Sequence, residues 1–263
     1  MFSHELKTGE VTAQNSSGRC WLFAATNVLR LEVMKKCDLE TFELSQSYLF
    51  FWDKFEKANY FLDSILETLD EAQDSRLLAW LLQSPFGDGG QWDMAVALVE
   101  KYGVVPKAVM PESFSSGASQ RLNKFLTLKV REFAKELRDA HKAGASRESL
   151  AAKKEGMLEI IFRMLCISLG TPPVRFDFEC RGKAGDSKAK AQAGVNKGKF
   201  TRDLNITPPE FYKKYVGKHV GGFDRRLIVD ADRVNPRLDR TEHTQLVFLA
   251  GKERFPQGIG LGD

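Results

Sequence analysis

The stretch Gln14-Asn-Ser-Ser-Gly18-Arg-Cys20-Trp21-Leu-Phe-Ala decides the reading of this chain. From Cys20 onward, apolar residues fall at 21, 22, 25, 28, 29 and 33. That spacing predicts a helix over 20–36, with Lys35 and Lys36 complementing the negative end of its last turn. Cys20 is then the first helical residue, where unpaired N–H groups and the positive end of the peptide dipoles favour thiolate over thiol. Gly18 lets the chain turn tightly before the helix, and Trp21 can cover one side of the sulfur. Gln14 offers an amide N–H₂ that can reach back toward the helix start. Together with the Cys20 backbone N–H it would make a two-donor hole for a tetrahedral oxyanion. A cysteine at a helix start is, taken alone, more often a small buried residue. Gln14, Gly18, Cys20 and Trp21 in combination point instead to a thiol nucleophile.

Outward from this stretch the chain reads as helices joined by short turns as far as about Leu169. Ser45 is the expected cap of an aromatic-rich helix (YLFFWDKFEKANYFLDSILETL) whose stripe belongs to a core. A short helix over 74–83 should stop before Ser84-Pro85. Gln91–Tyr102 is expected to be a helix, opened by Gly89-Gly90 and closed by Gly103. Long amphipathic helices are predicted over 119–143 and 146–169. After Pro172-Pro173 the alternation of VRFDFEC predicts a strand, and Thr207-Pro208-Pro209-Glu210 a helix start. RLIVDA and TQLVFLAG are strand-like.

The net charge of +4 is local in origin. Seven basic residues and one acid lie between Arg181 and Arg202; outside that segment 32 basic residues face 34 acidic ones, a net of −2. Poor in large apolar residues, 181–202 is expected to be a basic, flexible, solvated loop with few core contacts. It is a weak candidate for nucleic-acid contact. No apolar run is long enough for a membrane helix, and 1–10 lacks the apolar core of a signal peptide, so a cytoplasmic location is expected. The four cysteines (Cys20, Cys37, Cys166, Cys180) include no C-x-x-C pair, which argues against a zinc site or a dense disulfide framework. Cys37, Cys166 and Cys180 sit on or beside apolar stripes and are read as structural. Thiol chemistry calls for no metal and no cofactor.

Q-x-x-x-G-x-C-W resembles the nucleophile motif of papain-like cysteine peptidases, and QNSSGRCWLFA is similar to the bleomycin hydrolase family among them. Similar wording continues in FELSQSYLFFWDKFEKANYFL, GDGGQWDMAVALVEKYGVVPK, MPESFSS and ITPPEFYKKYV. The resemblance covers about Phe2 to Val229, interrupted by the basic loop. It implies an α+β papain-like fold, mainly its helical nucleophile-bearing half. The expected division is a helical half over 1–180, the loop over 181–202 and an incomplete remainder over 203–263. It further implies Cys20 as nucleophile and Gln14 as oxyanion-hole donor, with Gly89 and Gly90 binding extended peptide through their backbone. Peptide substrates, cytosolic aminopeptidase activity and a homo-hexamer come from the same resemblance.

A thiol peptidase also needs an imidazole to move protons and an Asn or Asp to orient it. The C-terminal His strand and Asn-Ser-Trp-Gly block of the family are absent, and Met1 falls inside the matched block. The chain is therefore expected to be a fragment cut at both ends, its residues from about Asp230 foreign to the original fold and its turnover impaired. His4 precedes the nucleophile, His141 sits on a charged helix face and His219 in a Gly-rich turn. Only His243 opens a strand-like run as a papain-type base would, yet Asn235 precedes rather than follows it. The alternative from another class is a non-catalytic remnant that binds peptide or protein through an exposed face.

Overall fold

A computed structural model describes residues 9–183 and 198–217. Eight helices and one two-stranded sheet occur among them, in the order α1 (Cys20–Cys37), α2 (Gln46–Glu67), α3 (Arg76–Gln83), α4 (Trp92–Tyr102), α5 (Phe114–Gly117), α6 (Gln120–Lys142), α7 (Arg147–Leu169), β1 (Phe176–Arg181), β2 (Phe200–Ile206) and α8 (Pro208–Tyr215).

The helix starts follow local chemistry. Ser45 accepts from the Tyr48 N–H at 3.0 Å, Ser75 from Leu78 at 3.2 Å and Ser146 from Ser149 at 3.2 Å. Thr207 and Glu210 form a reciprocal capping box with proline in the first turn. α1 differs: no side chain caps its N-terminus, and it ends at Asp38, whose left-handed backbone (φ 53°) returns its N–H to Met34 O.

α2 is the axis of the molecule, packed against α1, α3, α4, α6 and α7. Its aromatic stripe goes inward as expected. Phe51, Trp52 and Phe55 meet Phe162 of α7 edge-on or tilted, and Trp52 stacks on Tyr102 with ring centroids 4.0 Å apart. β1 and β2 pair antiparallel, from Phe176 opposite Ile206 to Arg181 opposite Phe200. The hairpin lays Phe176 and Phe178 on Phe211, and Phe178 on Tyr215, of α8. α8 in turn leans on α4, where a Cβ on Gly103 (φ 74°) would stand 2.2 Å from the Pro208 carbonyl carbon.

Two expectations need correction. The 181–202 segment is not loop throughout. Arg181 completes β1, Phe200–Arg202 open β2, and Lys183 N–H donates to Asp38 O at 2.9 Å. Antiparallel pairing satisfies these backbone groups where side-chain composition alone argued against order. α5, capped by Ser113, was not anticipated, because its four residues are too few to carry a periodicity. The strands expected at RLIVDA and TQLVFLAG, together with His4, His219, Asn235 and His243, lie outside the described residues.

Candidate active site

Cys20 is the first residue of α1 and is exposed. The turn before it is built from three linked side chains. Ser17 Oγ donates to Gln14 O at 2.7 Å, Arg19 Nε donates to Ser17 Oγ at 2.8 Å, and Arg19 forks onto Glu112 through Nη1 (3.1 Å) and Nη2 (2.8 Å). Arg19 is fully buried, its guanidinium 5.2 Å from the ring centres of both Phe23 and Phe50. A rigid planar fork suits this place, since it fills apolar space and still pairs a carboxylate bidentately. Ser16 N–H donates to Gly117 O at 2.9 Å, fastening the same turn to the end of α5.

Gln14 lies in this turn, beside Asn15 in left-handed backbone (φ 54°). Its Oε1 is buried without a hydrogen-bond partner, whereas its Nε2 is not among the buried unpaired atoms.

The second wall is the Gly87–Gly90 loop, and Asp88 fixes it to the first. Its carboxylate accepts from Gly18 N–H (3.1 Å), Lys54 Nζ (2.8 Å), Asn123 Nδ2 (2.6 Å) and Ser119 Oγ, while its carbonyl accepts from the Trp21 indole at 2.8 Å. Burial works to raise the Asp88 carboxyl, but the Lys54 ammonium and the hydroxyl and amide donors outweigh it and hold the group well below the usual carboxylate range. Burial pushes the Lys54 ammonium down to about 8, against the pull of Asp53 and Asp88. Lys57 holds the outer edge, donating to Asp53 (2.8 Å), Gly87 O (2.9 Å) and Gly89 O (3.1 Å).

The Gly89–Gly90 loop thus lies against the turn that precedes Cys20 and against Trp21. Gly18 faces the Asp88–Gly89 backbone, and Gly90 lies against Trp21 so closely that a Cβ would sit 2.6 Å from the indole. Trp21 spans the gap between Cys20 and the glycine pair. A histidine is what the described residues do not bring here. The one they contain, His141, bonds Asp70 beyond the far end of α2, about 20 Å along that helix from Lys54. Sequence reading missed Arg19, Lys54, Asp88 and Glu112. The available signal was the pair of charges, Asp53 and Lys54, inside an otherwise aromatic stripe; their partners lie too far away in sequence for any local pattern to reveal.

Comparison with known proteins shows the family. The model of the Peptidase C1-like family matches residues 1–240, and the chain belongs to that family, with its papain-like α+β fold. Within it the chain resembles aminopeptidase C and bleomycin hydrolases. Aminopeptidase C of Listeria monocytogenes is 49% identical over 216 residues, covering 82% of this chain and 45% of that protein. The bleomycin hydrolase of Oryctolagus cuniculus is 44% identical over 232 residues, 88% of this chain and 79% of that sequence. A solved structure, PepW from Lactobacillus, superimposes with a TM-score of 0.74 at 48% identity, covering 82% of this chain and 46% of that one. The chain spans about half the length of the Listeria relative and of PepW.

Proposed function

We propose that this chain carries the acylating face of a thiol aminopeptidase or amide hydrolase of the bleomycin hydrolase type. The observation that supports it most is the assembly of an exposed Cys20, at an uncapped helix start, with the Gly89–Gly90 loop laid alongside. An extended peptide would hydrogen-bond the glycine backbone and present its carbonyl carbon to Cys20 Sγ. The oxyanion would take the Cys20 N–H and Gln14 Nε2, and collapse of the adduct would expel the amine and leave a thioester. By the same reading the substrates are peptides, the location is cytoplasmic and the assembly is hexameric.

The departing amine needs a proton, and His141 is placed away from this cleft. Without a positioned imidazole that step loses a factor of roughly 10² to 10⁴. We expect the purified chain to accept a thiol-directed label at Cys20 but to hydrolyse aminoacyl anilides hardly at all. The assay compares it with Cys20→Ser and His243→Ala. Robust turnover abolished by His243→Ala would identify that residue as the base and overturn the expected impairment. Turnover surviving Cys20→Ser would overturn the nucleophile assignment. If peptides bind, but neither labelling nor turnover occurs, the non-catalytic binding alternative holds.

A further inference from the structure

The far end of α1 carries a second cysteine, and the fold gives it a partner. Cys37 closes the helix and is 2% exposed, while Cys180 on β1 is half-buried against the same core. Roughly 140 residues lie between them, yet both side chains pack into the same core, where the end of β1 meets the end of α1. The backbone on either side is fastened separately. Lys183 N–H donates to Asp38 O at 2.9 Å, Gly182 N–H donates to Lys199 O at 2.9 Å, and a Cβ on Gly182 would stand 2.7 Å from Cys37 O. The end of β1 thus lies directly over the last turn of α1, and both sulfurs are free thiols.

We propose that Cys37 and Cys180 form a site of reversible oxidation, closing to a disulfide when the protein meets hydrogen peroxide. Cys180 reacts first because it is the more accessible; burial, and then the contact with Cys180, push the Cys37 thiol up to about 12. The Cys180 sulfur attacks one peroxide oxygen and the O–O bond breaks, leaving a sulfenic acid and water. The Cys37 sulfur then attacks the sulfenic sulfur. The S–S bond forms, the S–O bond breaks, and the hydroxide leaves with the Cys37 proton as a second water. Two thiols are oxidised by two electrons and one peroxide is reduced. The product staples α1 to the β1–β2 hairpin. Cys20, at the other end of an 18-residue helix about 25 Å long, takes no part.

The test uses the full folded chain with Cys20→Ser, and wild type pre-alkylated at Cys20 as a second sample. Each is treated with hydrogen peroxide, its remaining thiols are blocked, and the non-reduced digest is read by mass spectrometry. A Cys37–Cys180 linked peptide should exceed every other pair at least tenfold. It should raise Tm by about 5–10 °C, reversibly with dithiothreitol, and Cys37→Ala or Cys180→Ala should abolish the rise. The proposal is overturned if that peptide is missing while Cys180 is overoxidised. It is equally overturned if the link forms in the same yield in urea, where the fold no longer sets the pairing. Neither result depends on whether Cys20 is catalytic.

Discussion

The two ends of α1 place the same side chain in opposite surroundings. At the N-terminus Cys20 is exposed on an uncapped helix, and the turn before it is held by Arg19–Glu112 and Asp88–Lys54. At the C-terminus Cys37 is buried among apolar groups, beside a second sulfur and the negative end of the helix dipole. At the C-terminal end burial pushes the Cys37 thiol up to about 12, and the negative end of the helix dipole opposes its ionisation as well. A cysteine is therefore made a candidate nucleophile by its surroundings, and in this fold charged groups supply those surroundings while packing supplies the rest.

Arg19 is the severest test of that contrast. Arg19→Ala leaves Glu112 without its cationic partner, though Ser116 Oγ still donates to it, and opens a hole between Phe23 and Phe50. It should cost about 3–5 kcal/mol in urea unfolding. Asp88→Asn should cost about 2–3 kcal/mol, because Lys54 loses its close counter-charge inside the protein. Its pH dependence has a definite sign. The folded carboxyl lies below its ordinary value of 3.8, so its contribution is complete above about pH 5 and is lost as pH falls below 3.8. The wild-type advantage over Asp88→Asn should shrink in that acid window.

Cys37→Ser puts a hydroxyl where a sulfur packs and should cost about 1–2 kcal/mol by thermal unfolding. Cys20→Ser, at the exposed end, should cost under about 0.5 kcal/mol. Equal costs for these two substitutions would erase the contrast between the helix ends.

Most of the helical frame was legible in the sequence because its signals are local. Ser45 and Thr207 cap the helices they were expected to cap, and the stripe from Trp21 to Val33 goes inward on α1. Gln14, Gly18, Cys20 and Trp21 were legible as local chemistry, and their link to Gly89 and Gly90 only through the family resemblance. What holds that grouping together was not. Asp88 reaches Lys54 and Asn123, and Arg19 reaches Glu112, across long sequence separations. Cys37 and Cys180 had the same disguise, each reading as an ordinary core residue until the hairpin packed its end over the end of α1.

Site-resolved alkylation tests the central claim most directly. The folded chain is given a limiting amount of a peptidyl epoxide at neutral pH, and each of Cys20, Cys37, Cys166 and Cys180 is quantified by mass spectrometry. The account predicts labelling of Cys20 at least tenfold faster than of any other cysteine, with the preference lost in urea and reduced in Asp88→Asn. Equal rates at all four positions, or a preference that survives unfolding, would contradict it.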